Sequence, residues 1–230
     1  MTTSIRLPHG LRLLQELLEW LPYGRVFTSE EATEAGKRLG LAPSHVHKLL
    51  SEMRTSGLLL RPRRGLYVMR PPFGGRDDVR PIAVAARVVE PSAVSGQSAL
   101  AHWDLIDQVP SRYETLVTPA RLGWESGVDH RGATTRWTWD GLAFEFRHVP
   151  EREMFGIRRV RLDSDTEVPM FDRERSLLEE LVCRPTSGAG ILIQHRDELD
   201  IKRLMDYAAR AGDAAVAVIE RTLGRELIAA

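Results

Sequence analysis

Leu7, Leu11, Leu14, Leu18 and Leu21 recur at steps of three and four residues, the period of a helix with one buried stripe, and predict an amphipathic helix over residues 9–21. Pro22 and Gly24 stop it. Thr28 and Glu31 have the spacing of a capping box, which satisfies free amides at a helix start. The helix that follows turns Ala32, Ala35 and Leu39 inward and closes at Gly40. A third begins near Pro43, tolerated in a first turn because its missing N–H has no partner there, and runs to about Ser56 before Gly57. Its inner face is Val46, Leu49, Leu50 and Met53. At about 100° per residue, Ser44, Lys48, Ser51 and Thr55 therefore point outward, with His47 and Arg54 on one flank. Residues 58–60 and 66–69 read as a hairpin whose turn is Arg61, Pro62, Arg63, Arg64 and Gly65.

Two prolines and two glycines crowd residues 70–76, so the expected boundaries are a first domain at 1–70, a linker at 71–76 and a second domain at 77–230. The second domain starts with helical spacing at Val79, Ile82, Ala83, Ala86 and Val89, ended by Pro91. Ser95 is placed to cap a short helix to about Leu105. Residues 113–118 are a candidate strand, and the clearest hairpin runs from Thr134 to Val149. There Asp140 and Gly141 supply the positive φ angles of a two-residue turn, and the register follows. Trp139 faces Leu142, Trp137 faces Phe144, Thr135 faces Phe146, and Arg136 pairs with Glu145 on the other face. Residues 157–162 and 166–170 make a further strand pair, for a sheet of five or so strands. Helices are expected at 172–183, 199–211 and 213–223, with 188–193 a buried strand or turn. The fold class is α+β: a helical domain with a small hairpin, then a mixed α/β domain with an antiparallel-rich sheet and C-terminal helices.

Of the 230 residues 43% are apolar and 28% charged, enough for a real core. A single cysteine, Cys183, excludes an internal disulfide framework and a Cys-built zinc site. No run approaches a membrane span, and a cytoplasmic protein is the expectation. Net charge is zero, which alone argues against nucleic acid. The average misleads, because residues 1–70 hold 11 Arg and Lys against 6 Asp and Glu, while the remainder hold 21 against 26.

Helix, helix, short connection, helix and basic hairpin is the order of a winged helix-turn-helix. A third helix with a slim polar face fits the major groove, and wing arginines meet phosphate or the minor groove. The candidate DNA-binding residues are Ser44, His45, His47, Lys48 and Ser51 on that helix and Arg61, Arg63 and Arg64 on the wing. Thr28, at the start of the second helix, is counted with them. Arg158, Arg159 and Arg161 form a candidate basic surface on a second-domain strand.

Enzymatic signals fail. Ser98 follows Gly96 as in a nucleophile elbow, but Leu100 stands where the second glycine belongs. His130, His148 and His195 are scattered singly, without ligand spacing. Phosphate-loop and dinucleotide fingerprints are absent from the sequence. No catalytic residue, metal or cofactor is expected, and the aromatic face of Trp137, Trp139, Phe144 and Phe146 reads as core.

The order of these pieces resembles the AbiEi antitoxin family: a winged module, SGQSALAHWDLIDQVP, a strand-rich middle with FEFRHV and GIRRVRL, FDRERSLLEELVCRP, RLMDYAARAG, and the Leu223–Gly224 pair. The resemblance covers nearly the whole chain. It implies a type IV antitoxin and repressor that binds inverted repeats in its own promoter, with a second domain that counteracts a nucleotidyltransferase-like toxin without a stable complex. The residues themselves support the DNA-binding half of that statement. The alternative is a ligand-responsive winged-helix transcription factor whose second domain holds a small molecule.

Overall fold

The computed structural model describes residues 9–20, 25–70, 79–107, 113–120, 126–129, 132–163 and 166–229. Its first elements are α1 (His9–Trp20), β1 (Val26–Thr28), α2 (Ser29–Arg38), α3 (Pro43–Thr55), β2 (Leu59–Arg63), β3 (Leu66–Met69) and α4 (Pro81–Val88). The leucine stripe of α1 buries Leu13, Leu14 and Leu17 against Ala32 and Ala35 of α2 and Val46, Leu49, Leu50 and Met53 of α3. Phe27, Leu59, Tyr67 and Met69 close this core from a three-stranded sheet in the order β1-β3-β2. Strand β1 has no counterpart in the sequence reading, since three residues are too few to show an alternation. It forms because Val26, Phe27 and Thr28 pair antiparallel with Val68, Tyr67 and Leu66.

The chain packs as two compact units, Met1–Val88 with Arg161–Val168, and Val89–Val160 with Pro169–Ala230. The expected linker at 71–76 lies outside the described residues. Helix α4, assigned by spacing to the second domain, packs instead on β1, β2 and β3 within the first unit. Its residues Ile82 to Val88 are all buried, as an apolar helix without a polar face must be.

The remaining elements are β4 (Ala93–Ser95), α5 (Gly96–His102), β5 (Tyr113–Thr118), β6 (Ser126–Asp129), β7 (Gly132–Trp139), β8 (Leu142–His148), β9 (Ile157–Asp163) and β10 (Thr166–Phe171), then α6 (Arg173–Cys183), α7 (Pro185–Gln194), α8 (Ile201–Ala211) and α9 (Asp213–Ala229). The sheet has seven strands in the order β6-β7-β8-β5-β4-β10-β9. Strands β5 and β8 pair parallel, as do β4 and β10, while β4–β5, β6–β7 and β7–β8 are antiparallel. The β7–β8 register is the one read from sequence, Trp139↔Leu142, Trp137↔Phe144, Arg136↔Glu145 and Thr135↔Phe146. Asp140 and Gly141 turn it with φ of 53° and 76°.

Two local expectations fail. Ser95 ends β4 and stands at the N-cap position of α5, but its side chain makes no capping bond, and its buried hydroxyl has no partner among the described residues. The free Gly96 amide donates to Glu179 Oε2 at 3.0 Å. Residues 188–193 are neither strand nor turn but part of α7, which starts on Pro185. Gly188 serves a close helix crossing, since a β-carbon there would sit 2.6 Å from the Leu181 Cα.

The start of α6 organises the second unit. Asp172 caps it, accepting from the Arg175 amide at 2.9 Å and from the Tyr207 hydroxyl at 2.8 Å. Glu174 accepts from the Asp200 amide at 3.1 Å and pairs with Arg203 at 3.4 Å. Burial pushes the Arg175 guanidinium down to about 10, aided by the nearby Arg147 charge. It stays charged at neutral pH, lying 4.4 Å from the Phe171 ring centroid and 4.8 Å from that of Phe155.

Candidate nucleic-acid interface

The capping box forms as its spacing requires. Glu31 N–H donates to Thr28 Oγ1 at 3.2 Å, and Thr28 N–H donates to Glu31 Oε2 at 2.7 Å. Thr28 thereby caps α2; the bond uses its hydroxyl oxygen as an acceptor and leaves its place among the DNA-binding candidates an expectation. Within α2, Gly36 is buried where the helix crosses α3. A β-carbon at position 36 would collide with Val46 Cγ2. Gly40 then takes a φ of 72°, and Pro43 opens α3 four residues after the Leu39 cap of α2. The short turn and the glycine crossing together fix the direction of α3.

Helix α3 buries Val46, Leu49, Leu50 and Met53 and leaves Ser44, His45, His47, Lys48, Ser51, Arg54 and Thr55 exposed. The outward face is the one expected from spacing. Lys48 is 3.9 Å from Glu52 in an exposed pair, a contact too weak to withhold it from a ligand.

The wing is tighter than its sequence implies. Arg63 pairs with Leu66 across a turn of Arg64 and Gly65, the latter at φ 83°. Arg61 and Arg63 therefore lie on β2 and not in the turn, with the ladder irregular between Leu60 and Arg63 around Pro62. All three arginines are exposed, and the Arg61 guanidinium carbon lies 5.9 Å from the Tyr67 ring centroid. One bond that local spacing could not disclose joins wing to helix, Ser29 N–H donating to Gly65 O at 2.8 Å. It sets the wing turn beside the first turn of α2. Bonding to its own backbone amide holds the Glu30 carboxyl below the usual range, with the Thr28 and Ser29 hydroxyls and the charge of Arg63 adding to it. The wing arginine thus has an acidic neighbour.

On β9, Arg158, Arg159 and Arg161 are exposed as expected. Two of them meet carboxylates, Arg158 with Asp172 at 3.9 Å and Arg161 with Glu167 at 3.3 Å. Phe144 and Phe146 are buried in the core, while Trp137 and Trp139 are half-buried and stacked at 6.4 Å. Among the described residues no three His, Cys, Asp or Glu side chains are grouped to hold a metal ion, and no helix is long and apolar enough to cross a membrane.

Residues 15–70 match a protein-family model described as "Transcriptional regulator, AbiEi antitoxin". A search of curated proteins finds no match. Among solved structures the chain is similar to the RV2827C protein from Mycobacterium tuberculosis, at 22% identity and a TM-score of 0.48, over 95% of this chain and 72% of that one.

Proposed function

We propose, from the premise that residues 15–70 belong to the AbiEi antitoxin/transcriptional regulator family, that the protein is a DNA-binding repressor of its own operon and the antitoxin of a type IV pair. The observation that carries the reading is the pairing of an exposed polar and cationic α3 face with an arginine wing fastened to α2 through Ser29 and Gly65. A helix about 10 to 12 Å across fits a major groove about 12 Å wide. In this reading Ser44, His47, Lys48 and Ser51 face base edges, His45 lies at the rim, and Arg61, Arg63 and Arg64 meet phosphate. The second unit serves to counteract a nucleotidyltransferase-like toxin without a stable complex. The test is fluorescence anisotropy with duplex from upstream of the protein's own gene, with its inverted repeats intact or scrambled. Intact repeats are expected to bind roughly 10³-fold tighter or better; equal binding at physiological salt rejects the repressor. A second reading, a regulator whose second unit takes a small molecule, draws on a cavity in that unit lined by α5, α6 and α7.

A further inference from the structure

We propose that this cavity is a binding site for a small organic cation, a protonated amine on a compact apolar body. It encloses about 350 Å³, within the roughly 300 to 1,000 Å³ of ligand pockets. Leu100, Leu105 and Ile191 give it an apolar lining, and Gln97, Gln194 and Glu180 give it polar groups.

The charge of the ligand follows from Glu180. Helix α6 carries three buried glutamates behind its capping Asp172, and each of the other carboxylates is met by a backbone amide together with a side chain. Asp172 has the Arg175 amide and Tyr207. Glu174 has the Asp200 amide and Arg203. Glu179 has the Gly96 amide and Arg147. Glu180 is the exception and the one that lines the cavity. Its side chain is 7% exposed, yet among the described residues it is met by Arg184 alone, whose Nη1 lies 3.4 and 3.3 Å from the two oxygens and whose side chain is itself 45% exposed. Two long bonds from a half-hydrated guanidinium leave a buried carboxylate short of donors.

An ammonium group in the cavity supplies them. Its three N–H donors find the Glu180 carboxylate and the side-chain carbonyls of Gln97 and Gln194, while its hydrocarbon displaces water from Leu100, Leu105 and Ile191. Neither Lys nor Arg lines the cavity, and Asp107 adds a second carboxylate to its lining, so among its lining groups only a protonated His195 offers an anion a counter-charge.

The experiment is isothermal titration of the full-length protein with benzylammonium and n-butylammonium as probes, and with benzyl alcohol and benzoate as uncharged and anionic controls. At least one ammonium is expected to bind with Kd of about 1 mM or tighter, in keeping with so few heavy atoms. The alcohol should bind at least tenfold more weakly and benzoate not at all. Glu180→Gln should weaken the ammonium by roughly 10- to 100-fold, the worth of a charge-assisted bond, and Ile191→Trp should remove binding by filling the space. If Glu180→Gln fails to fold, Ile191→Trp and Gln194→Leu read the same site without touching α6. Absence of saturable binding by both ammonium probes overturns the proposal. So does benzoate binding as tightly as benzylammonium, or ammonium binding that survives Ile191→Trp or a folded Glu180→Gln.

Discussion

The carboxylate of Glu31, which closes the capping box of α2, also receives the Arg87 guanidinium at 2.5 and 2.6 Å from 56 residues further along the chain. The Arg87 side chain is 8% exposed, so the pair is held largely out of water. A helix that the sequence assigns to another domain is thereby fastened to the first helix of the helix-turn-helix. Arg87→Met strands a half-buried charge and should cost about 3 kcal/mol. Glu31→Gln in the same chain should recover much of that loss, because no charge is then left alone. Urea unfolding of the four proteins measures the coupling; additive losses mean the two side chains act independently.

Gly36 and Val46 set the angle at which α3 leaves the core. Val46 is fully buried and β-branched, so it cannot turn aside from a new methyl group. Gly36→Ala should destabilise by about 1 to 3 kcal/mol despite alanine's better helix propensity. In a Val46→Ala background the same change should instead stabilise by up to about 1 kcal/mol. Thermal melts of both pairs decide this, and a gain in the wild-type background would show that the crossing has room to spare.

What was legible in the sequence was local. The Asp140–Gly141 turn fixed a register, and one register fixes every pair in that hairpin. The α3 stripe of Val46, Leu49, Leu50 and Met53 defines its opposite face by helical angle alone, and that face is exposed in the structure. Strands β1, β4 and β6 were missed because three or four residues carry no measurable alternation. Helix α7 was missed because Gly188 looks like a turn glycine until Leu181 is seen against it. The ties Ser29 to Gly65 and Glu31 to Arg87 leave no trace in spacing, since each joins residues far apart in the chain. Thr28 was readable as a cap from its spacing to Glu31, and the bond that spacing implies is present.

The wing should act on affinity and the helix on sequence preference. Arg63→Ala with Arg64→Ala is expected to weaken binding to every duplex and to flatten the salt slope by up to about two units. Glu30→Gln should do the reverse, raising affinity for operator and scrambled duplex alike, because it removes a carboxylate that shares its field with Arg63. Lys48→Ala should cost about 1 to 3 kcal/mol at one base position only. Anisotropy titrations between about 50 and 200 mM salt separate the three; an unchanged slope in the double variant removes the wing from the interface.

Arg159→Ala with Arg161→Ala separates the two tasks of the proposal. Arg159 lies in the second unit and Arg161 where β9 passes into the first; this strand is expected to serve toxin neutralisation, so the double variant should keep operator affinity and lose rescue in cells that carry the cognate toxin. If both survive, these arginines are solvated surface and nothing more.

Tyr207 ties α8 to the cap of α6 through its bond to Asp172. Burial first, and then that bond, push its hydroxyl up to about 12 from an ordinary value near 10. The sign of the linkage follows from the proton count. Between about pH 10 and 12 the unfolded chain has released this proton while the folded chain keeps it, so stability falls as pH rises through that window. Below about pH 10 the contribution is complete. Tyr207→Phe removes it and leaves one oxygen of the buried Asp172 with only the 3.9 Å contact of Arg158, at a cost of about 1 kcal/mol at neutral pH. The gap between wild type and Tyr207→Phe in urea midpoint should therefore be constant from about pH 7 to 9 and narrow above about pH 10. Arg175 titrates in the same alkaline range but is common to both proteins, so it cancels in the difference. A gap that stays constant to about pH 12 would mean that Tyr207 ionises alike in the folded and unfolded chains, and that its bond to Asp172 contributes nothing to the cap.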